Sequence, residues 1–282
     1  MPMKKPVILW ILPLCFVACD LEKPTWSHDV AEGCRITLQG FLDAADDVHR
    51  IYVSYAWPDG ATGASDRDLD VRINGLGVAV TGPDRDYVSS PAPYIFRARL
   101  QEGDRVRVST GDASVETVVL PPPDTLSVTV SEDVAGKDGD LCARFSVRVG
   151  PGLYRMELSP EKRWYDARGL YLRREELEGV SGLFSVDTGS GSHSLEIPWR
   201  QLEDKGTILD AARMEVRVVV RVRSLSRDRF AWYDAWASAR DGGLFGSLGD
   251  FVRFPGNVEG GFGLVDVAGS VERTFLMGSF DY

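Results

Sequence analysis

Cys19 stands where a thiol can be turned into a membrane anchor. Lys4 and Lys5 give a short positive start, Val7 to Val17 form an apolar run, and Ala18 puts a small residue directly before the cysteine. That order is the layout of a secretory signal cut at a small residue. The cut leaves Cys19 as the new N-terminus, ready for acylation, as in a bacterial lipoprotein signal. Phe16 replaces the aliphatic residue usual at its place. A helix of Val7–Val17 reaches only ~16 Å, too short for a hydrocarbon core ~30 Å thick. The alternative is an ordinary cleaved signal with an incidental cysteine, which has no need of a cysteine at the cut.

Other chemistry-bearing residues carry less. Asp66, Asp68 and Asp70 have the spacing of the first oxygen ligands of a calcium loop. That loop then needs Gly where Val71 stands and Glu where Gly77 stands. Leu69, Val71 and Ile73 alternate with the acids, which fits a strand with a wet acidic face. A nucleophile–base pair needs a histidine; His28 is in the tether, and His49 and His193 fall in charge- or glycine-rich polar stretches, the setting of solvated loops. Neither a G-x-S-x-G elbow nor an H-E-x-x-H helix occurs. Adjacent carboxylates such as Glu175-Glu176 point to opposite faces of a strand and cannot share one proton transfer. No metal or cofactor is therefore expected, and no catalytic residue.

Two groupings suit binding. Arg144, Arg148, Arg217, Arg221 and Arg223 share outward strand parity, which makes either a basic ladder or one half of cross-strand ion pairs. Trp164, Tyr165, Trp199, Trp232 and Trp236 crowd the second half, as core or as a stacking surface for sugars or peptides. The formal charge of −10 repels a phosphate backbone, so nucleic acid is excluded as a partner. After Cys15 and Cys19, only Cys34 and Cys142 remain for a disulfide. Their opposite strand parities argue against a pairing within one core.

These residues must be positioned by strands. After a polar tether over residues 20–32, period-two alternation begins at Gly33 with Cys34, Ile36 and Leu38. Similar runs follow at Ile51–Trp57, Leu69–Ile73, Leu76–Val80, Tyr94–Leu100, Val106–Val108 and Val115–Leu120, separated by turn residues. Asn74-Gly75 between two such runs is a hairpin signal, because both turn positions need positive φ. Residues 33–120 thus read as an immunoglobulin-like β-sandwich. Pro121-Pro122-Pro123 cannot donate to a ladder and marks the joint. Residues 124–282 read as a second β-rich domain, with Met214, Val216, Val218, Val220 and Val222 lining one strand face. One helix is predicted at about 225–240, with Ser224 or Ser226 as cap, Phe230, Tyr233 and Ala237 as apolar stripe, and Gly242-Gly243 as stop.

The closing stretch from Phe251 to Leu264 contains Asn257-Val258-Glu259-Gly260-Gly261-Phe262-Gly263. This stretch resembles the closing signature of a Bacteroidetes lipoprotein family catalogued as domain of unknown function 4249. The lipobox, sandwich, proline joint and Ser-led aromatic helix resemble that family as well. Membership implies an outer-membrane lipoprotein, often encoded beside TonB-dependent receptors, with no activity to carry over. The glycines permit positive φ and close backbone approach, so the stretch is either a structural turn or a ligand loop.

Together these readings lead to an expectation of a non-catalytic binding or accessory component. It would be held on the outer membrane through Cys19 and would serve nutrient uptake or envelope organisation. Its partner would be a TonB-dependent receptor. Candidate contact residues are Asn257, Gly260, Gly261, Phe262, Gly263, Arg217, Arg221, Trp232 and Trp236. A structural or adhesive surface protein is the second reading. A hydrolase, disfavoured by the missing motifs, is the third.

Overall fold

A computed structural model describes residues 35–56, 62–64, 68–82, 93–124, 127–136, 139–203, 208, 211–241 and 255–281. Cys19, the tether, His28, Cys34, Asp66 and the predicted Gly242-Gly243 stop lie outside them.

Strands of the first half are β1 (Arg35–Asp43), β2 (Val48–Ala56), β3 (Thr62–Ala64), β4 (Asp70–Ile73), β5 (Leu76–Val78), β6 (Val80–Thr81), β7 (Pro93–Arg97), β8 (Arg105–Thr110) and β9 (Ala113–Val118). The second half adds β10 (Ser127–Ala135), β11 (Leu141–Val149), β12 (Gly152–Tyr165), β13 (Tyr171–Glu176), β14 (Val180–Val186), β15 (Gly191–Pro198), α1 (Trp199–Glu203), β16 (Arg213–Ser224), α2 (Arg227–Asp241), β17 (Phe262–Ala268) and β18 (Ser270–Asp281).

The first core is a sandwich between the sheet β17-β1-β2-β7-β6, with β3 added on β2, and the sheet β5-β4-β8-β9. Alternation drives it: Leu38, Ile51, Val53, Val71, Phe96, Val106 and Val108 all point inward and are buried. The Asn74-Gly75 hairpin forms as its chemistry requires, with φ of 51° and 83°. The second core lies between β10-β11-β15 and β13-β12-β16-β18. Met214, Val216, Val218, Val220 and Val222 enter it from β16, and Trp164 is fully buried there.

One part of the predicted division is corrected. The chain assigned to the second domain does not stay there: β17 pairs in parallel with β1, from Thr37↔Phe262 to Asp43↔Ala268. Val265 and Val267 belong to the first core, and only β18 returns to the second sheet beside β16. Parallel pairing needs a long crossover, so no local turn signal could announce it. Just before the three prolines, Leu120 N donates to Val267 O at 3.3 Å. A Cβ on Gly269 would come within 2.3 Å of Leu120 O.

Strand β12 also runs further than alternation suggested, straight through Pro160. Its edge pairs with β14 up to Leu158 and with β13 from Glu161. Pro160 sits at the changeover, a place in a ladder where a missing N–H is tolerated.

Candidate functional site

Gln39 and Phe41 on β1, and Arg50 and Tyr52 on β2, point away from the core because Leu38, Leu42, Ile51 and Val53 take the inward parity. Together with Asp46 they line an open cleft of about 410 Å³ on the outer sheet face. Helix α2 stands beside it. Trp232 meets Phe41 edge-on at 4.7 Å between ring centroids, and Tyr233 meets the same ring at 5.4 Å. A ligand-sized cleft with mixed aromatic and polar lining is the usual form of a small-molecule site.

The helix is held here by its cap and by one buried cation. Ser226 Oγ accepts from Arg229 N at 3.1 Å, the predicted cap. Arg229 Nη1 donates to Leu42 O at 3.0 Å, and its guanidinium lies 5.0 Å from the Phe41 ring centre. Asp266 of β17 faces Arg229 at 3.9 Å and accepts from Thr117 Oγ1 at 3.3 Å. Burial drives the Asp266 carboxyl above its ordinary value, with Arg229 opposing.

A second ionic group joins the two cores. Asp43, at the end of β1, accepts from Ser270 Oγ at 2.6 Å, Ala45 N at 3.0 Å and Arg223 Nε at 2.7 Å. Burial works to raise its carboxyl, and these bonds overcome that and hold it below the ordinary value. Arg223 also binds Glu157, whose other oxygen pairs with Arg155 at 3.0 Å; the Arg155 guanidinium covers the Tyr233 ring at 4.2 Å. The cleft's end at Asp43 and its helical flank are therefore parts of one charged joint.

The residues singled out from sequence separate into three places. Trp232 reaches the cleft margin, while Trp236 is largely exposed further along α2. Arg217 and Arg221 are on the outer face of β16, but they are not a free basic ladder. Arg217 pairs with Glu215 and Arg221 with Glu272, each at 2.6 Å. Arg144 pairs with Glu196 at 2.7 Å, so Arg144 and Arg221 are paired across strands and Arg217 along its own. The glycine stretch forms the entry to β17. Asn257 binds both backbone atoms of Val265, at 2.8 and 3.0 Å. Gly260, Gly261 and Gly263 pass against the backbone oxygens of Asp112, Ile36 and Leu38, where a Cβ would stand 2.2, 2.6 and 2.0 Å away. Neighbouring backbone fills the Cβ side of each, so these three glycines serve close packing at the turn; Phe262 beside them is about half exposed.

The two described histidines are not in solvated loops. His49 is on β2, 2% exposed, and its Nε2 donates to Ala98 O at 3.0 Å. His193 is on β15 and stacks on Phe184 with centroids 4.6 Å apart. Burial pushes both imidazoles below their usual value, favouring the neutral ring. Asp70 pairs with Arg72 at 2.8 Å, and no metal-ligating group occurs among the described residues. Cys142 is a buried thiol whose Sγ donates to Asp140 O at 3.5 Å. The cleft itself was missed from sequence: Gln39, Phe41, Arg50 and Tyr52 were legible only as the polar-parity positions of two strands.

No curated protein matches the chain. Among solved structures, a DUF1425 family member from Shewanella sp. pv-4 is similar at 19% identity over 42% of this chain and 91% of that one, with a TM-score of 0.15. The family described as Domain of unknown function (DUF4249) matches residues 27–274, from before β1 into β18, and the chain belongs to that family.

Proposed function

We propose that the protein is a lipid-anchored outer-membrane component, held through Cys19, that binds rather than catalyses. It serves TonB-dependent nutrient uptake or envelope organisation. The observation that carries the binding role is the cleft on β1–β2, with Phe41, Tyr52 and Arg50 in its lining and Trp232 at its margin. Aromatic rings and guanidinium groups are what interface centres favour, since they offer contact area and directed donors with few rotors. The partner is a TonB-dependent receptor or the ligand that receptor takes.

The test is a pull-down from detergent-solubilised outer membranes with the acylated full chain as bait. The bait is not divided at residues 121–123, because β17 completes the first sheet from the far end of the chain. Recovery of a receptor by the wild type, and its loss with Tyr52→Ala plus Arg50→Ala, supports the reading. Equal recovery with both chains overturns the place given to the cleft.

A further inference from the structure

The hairpin of β12 and β13 carries an apolar tip that no core uses. All ten residues from Ala167 to Glu176 are exposed, and β13 pairs only with β12 among the described residues. Within this arm Leu170, Tyr171 and Leu172 are consecutive and 61%, 55% and 41% exposed. The register slips by one residue here, from Trp164↔Arg173 to Tyr165↔Tyr171, so Leu172 is the extra residue of a bulge and the ladder leaves all three side chains open to solvent. Single exposed leucines are ordinary, but three adjacent large apolar residues on one projecting arm are not.

The turn is built to hold them out. Asp166 Oδ1 accepts from Arg168 N and Leu170 N, both at 2.8 Å. Asp166 N donates to Leu170 O at 2.9 Å, Gly169 N to Asp166 O at 3.0 Å, and Gly169 takes a φ of 77°. The Tyr165 and Tyr171 rings brace the base edge-on at 6.2 Å. Exposed Arg168 and Arg173 flank the apolar triplet, whereas Arg174, nearer the base, is already paired with Glu161 and Glu176. On a chain of net charge −10, this tip is a local basic and apolar spot.

We propose that the hairpin tip is a second membrane contact, which enters the interfacial layer of a phospholipid surface while Arg168 and Arg173 meet anionic headgroups. This rests on the reading that Cys19 holds the protein on a membrane. Leucines suit the acyl boundary, a tyrosine suits the headgroup level, and arginines snorkel from apolar surface to phosphate. An anchor at Cys19 is a single point of attachment, so a second contact fixes how the protein stands on the surface.

The test uses the acylated full chain in a Cys34→Ser background, labelled with a polarity-sensitive fluorophore at Leu170→Cys. A parallel sample carries the label at Leu76→Cys, a leucine 74% exposed on the β4–β5 hairpin. Each is mixed with phosphatidylethanolamine–phosphatidylglycerol vesicles, and flotation reports the acyl anchor separately from the label. In floating protein, a blue-shifted label at Leu170 and an unshifted one at Leu76 are expected. Arg168→Ala and Arg173→Ala should each lower the shifted population about fivefold. A water-like signal at Leu170 in floating protein overturns the proposal and leaves the anchor intact, as does an equal shift at both positions. Protein that fails to float overturns the anchor, and the hairpin proposal with it.

Discussion

Asp43 and Asp266 are both buried at the joint between the cores, yet their carboxyls move in opposite directions. Burial raises both; Asp43 has three donors that outweigh it, while Asp266 has a cation no nearer than 3.9 Å. The linkage signs differ accordingly. Stabilisation from Asp43 is complete above its unfolded value and is lost as pH falls through the lower folded value. Asp266 binds its proton more tightly folded than unfolded, so its contribution falls as pH rises from 3.8 towards the higher folded value. Asp266→Asn should therefore gain on the wild type as pH rises through that window. Urea denaturation of both chains across the window checks it; a constant difference would show that Asp266 does not titrate there.

At the scale of elements, strand β17 depends on three glycines packed against neighbouring backbone. Gly263 is the tightest, with φ of 106° and a Cβ position 2.0 Å from Leu38 O. Gly263→Ala must push β17 off β1 or shift both strands, so a loss of about 3 kcal/mol or more is expected, well above the ~1 kcal/mol typical of a point substitution. Chemical denaturation measures it. The same change at Gly103, where no heavy atom lies near the Cβ position, costs only the positive-φ strain and serves as the control.

At the scale of the whole molecule, the two cores are tied by Asp43–Arg223–Glu157, by α2 and by the passage of β17 into the first sheet. Removing one end should therefore damage both. A chain ending before Pro255 lacks β17 and β18, an edge of each sandwich, and should lose cooperative thermal unfolding altogether. Far-ultraviolet circular dichroism with calorimetry checks this; a surviving transition of the first sandwich alone would show that β17 is dispensable.

Much was legible in the chain because it is written in short-range pattern. Alternation in Met214–Val222 set the face of β16, Asn74-Gly75 set its hairpin, and Ser226 set the start of α2, since each depends on neighbours a few residues away. The partner of a strand is a different kind of fact. Asn257 to Gly263 read more as a turn than as a ligand loop, but nothing in its sequence could show that Leu38, Ile36 and Asp112 lie against its glycines. Arg217 and Arg221 read as a basic face or as halves of ion pairs, and their partners Glu215 and Glu272, on the same strand and the next, came only with the fold. His49 was assigned to a loop because its sequence neighbours are polar, whereas its place in the sheet buried it. The cleft joins two strands and is flanked by a helix far along the chain, 192 residues from Phe41 to Tyr233. Sequence determined which face each element turns inward; only the tertiary structure decided which faces meet, because that choice depends on contacts far apart along the chain.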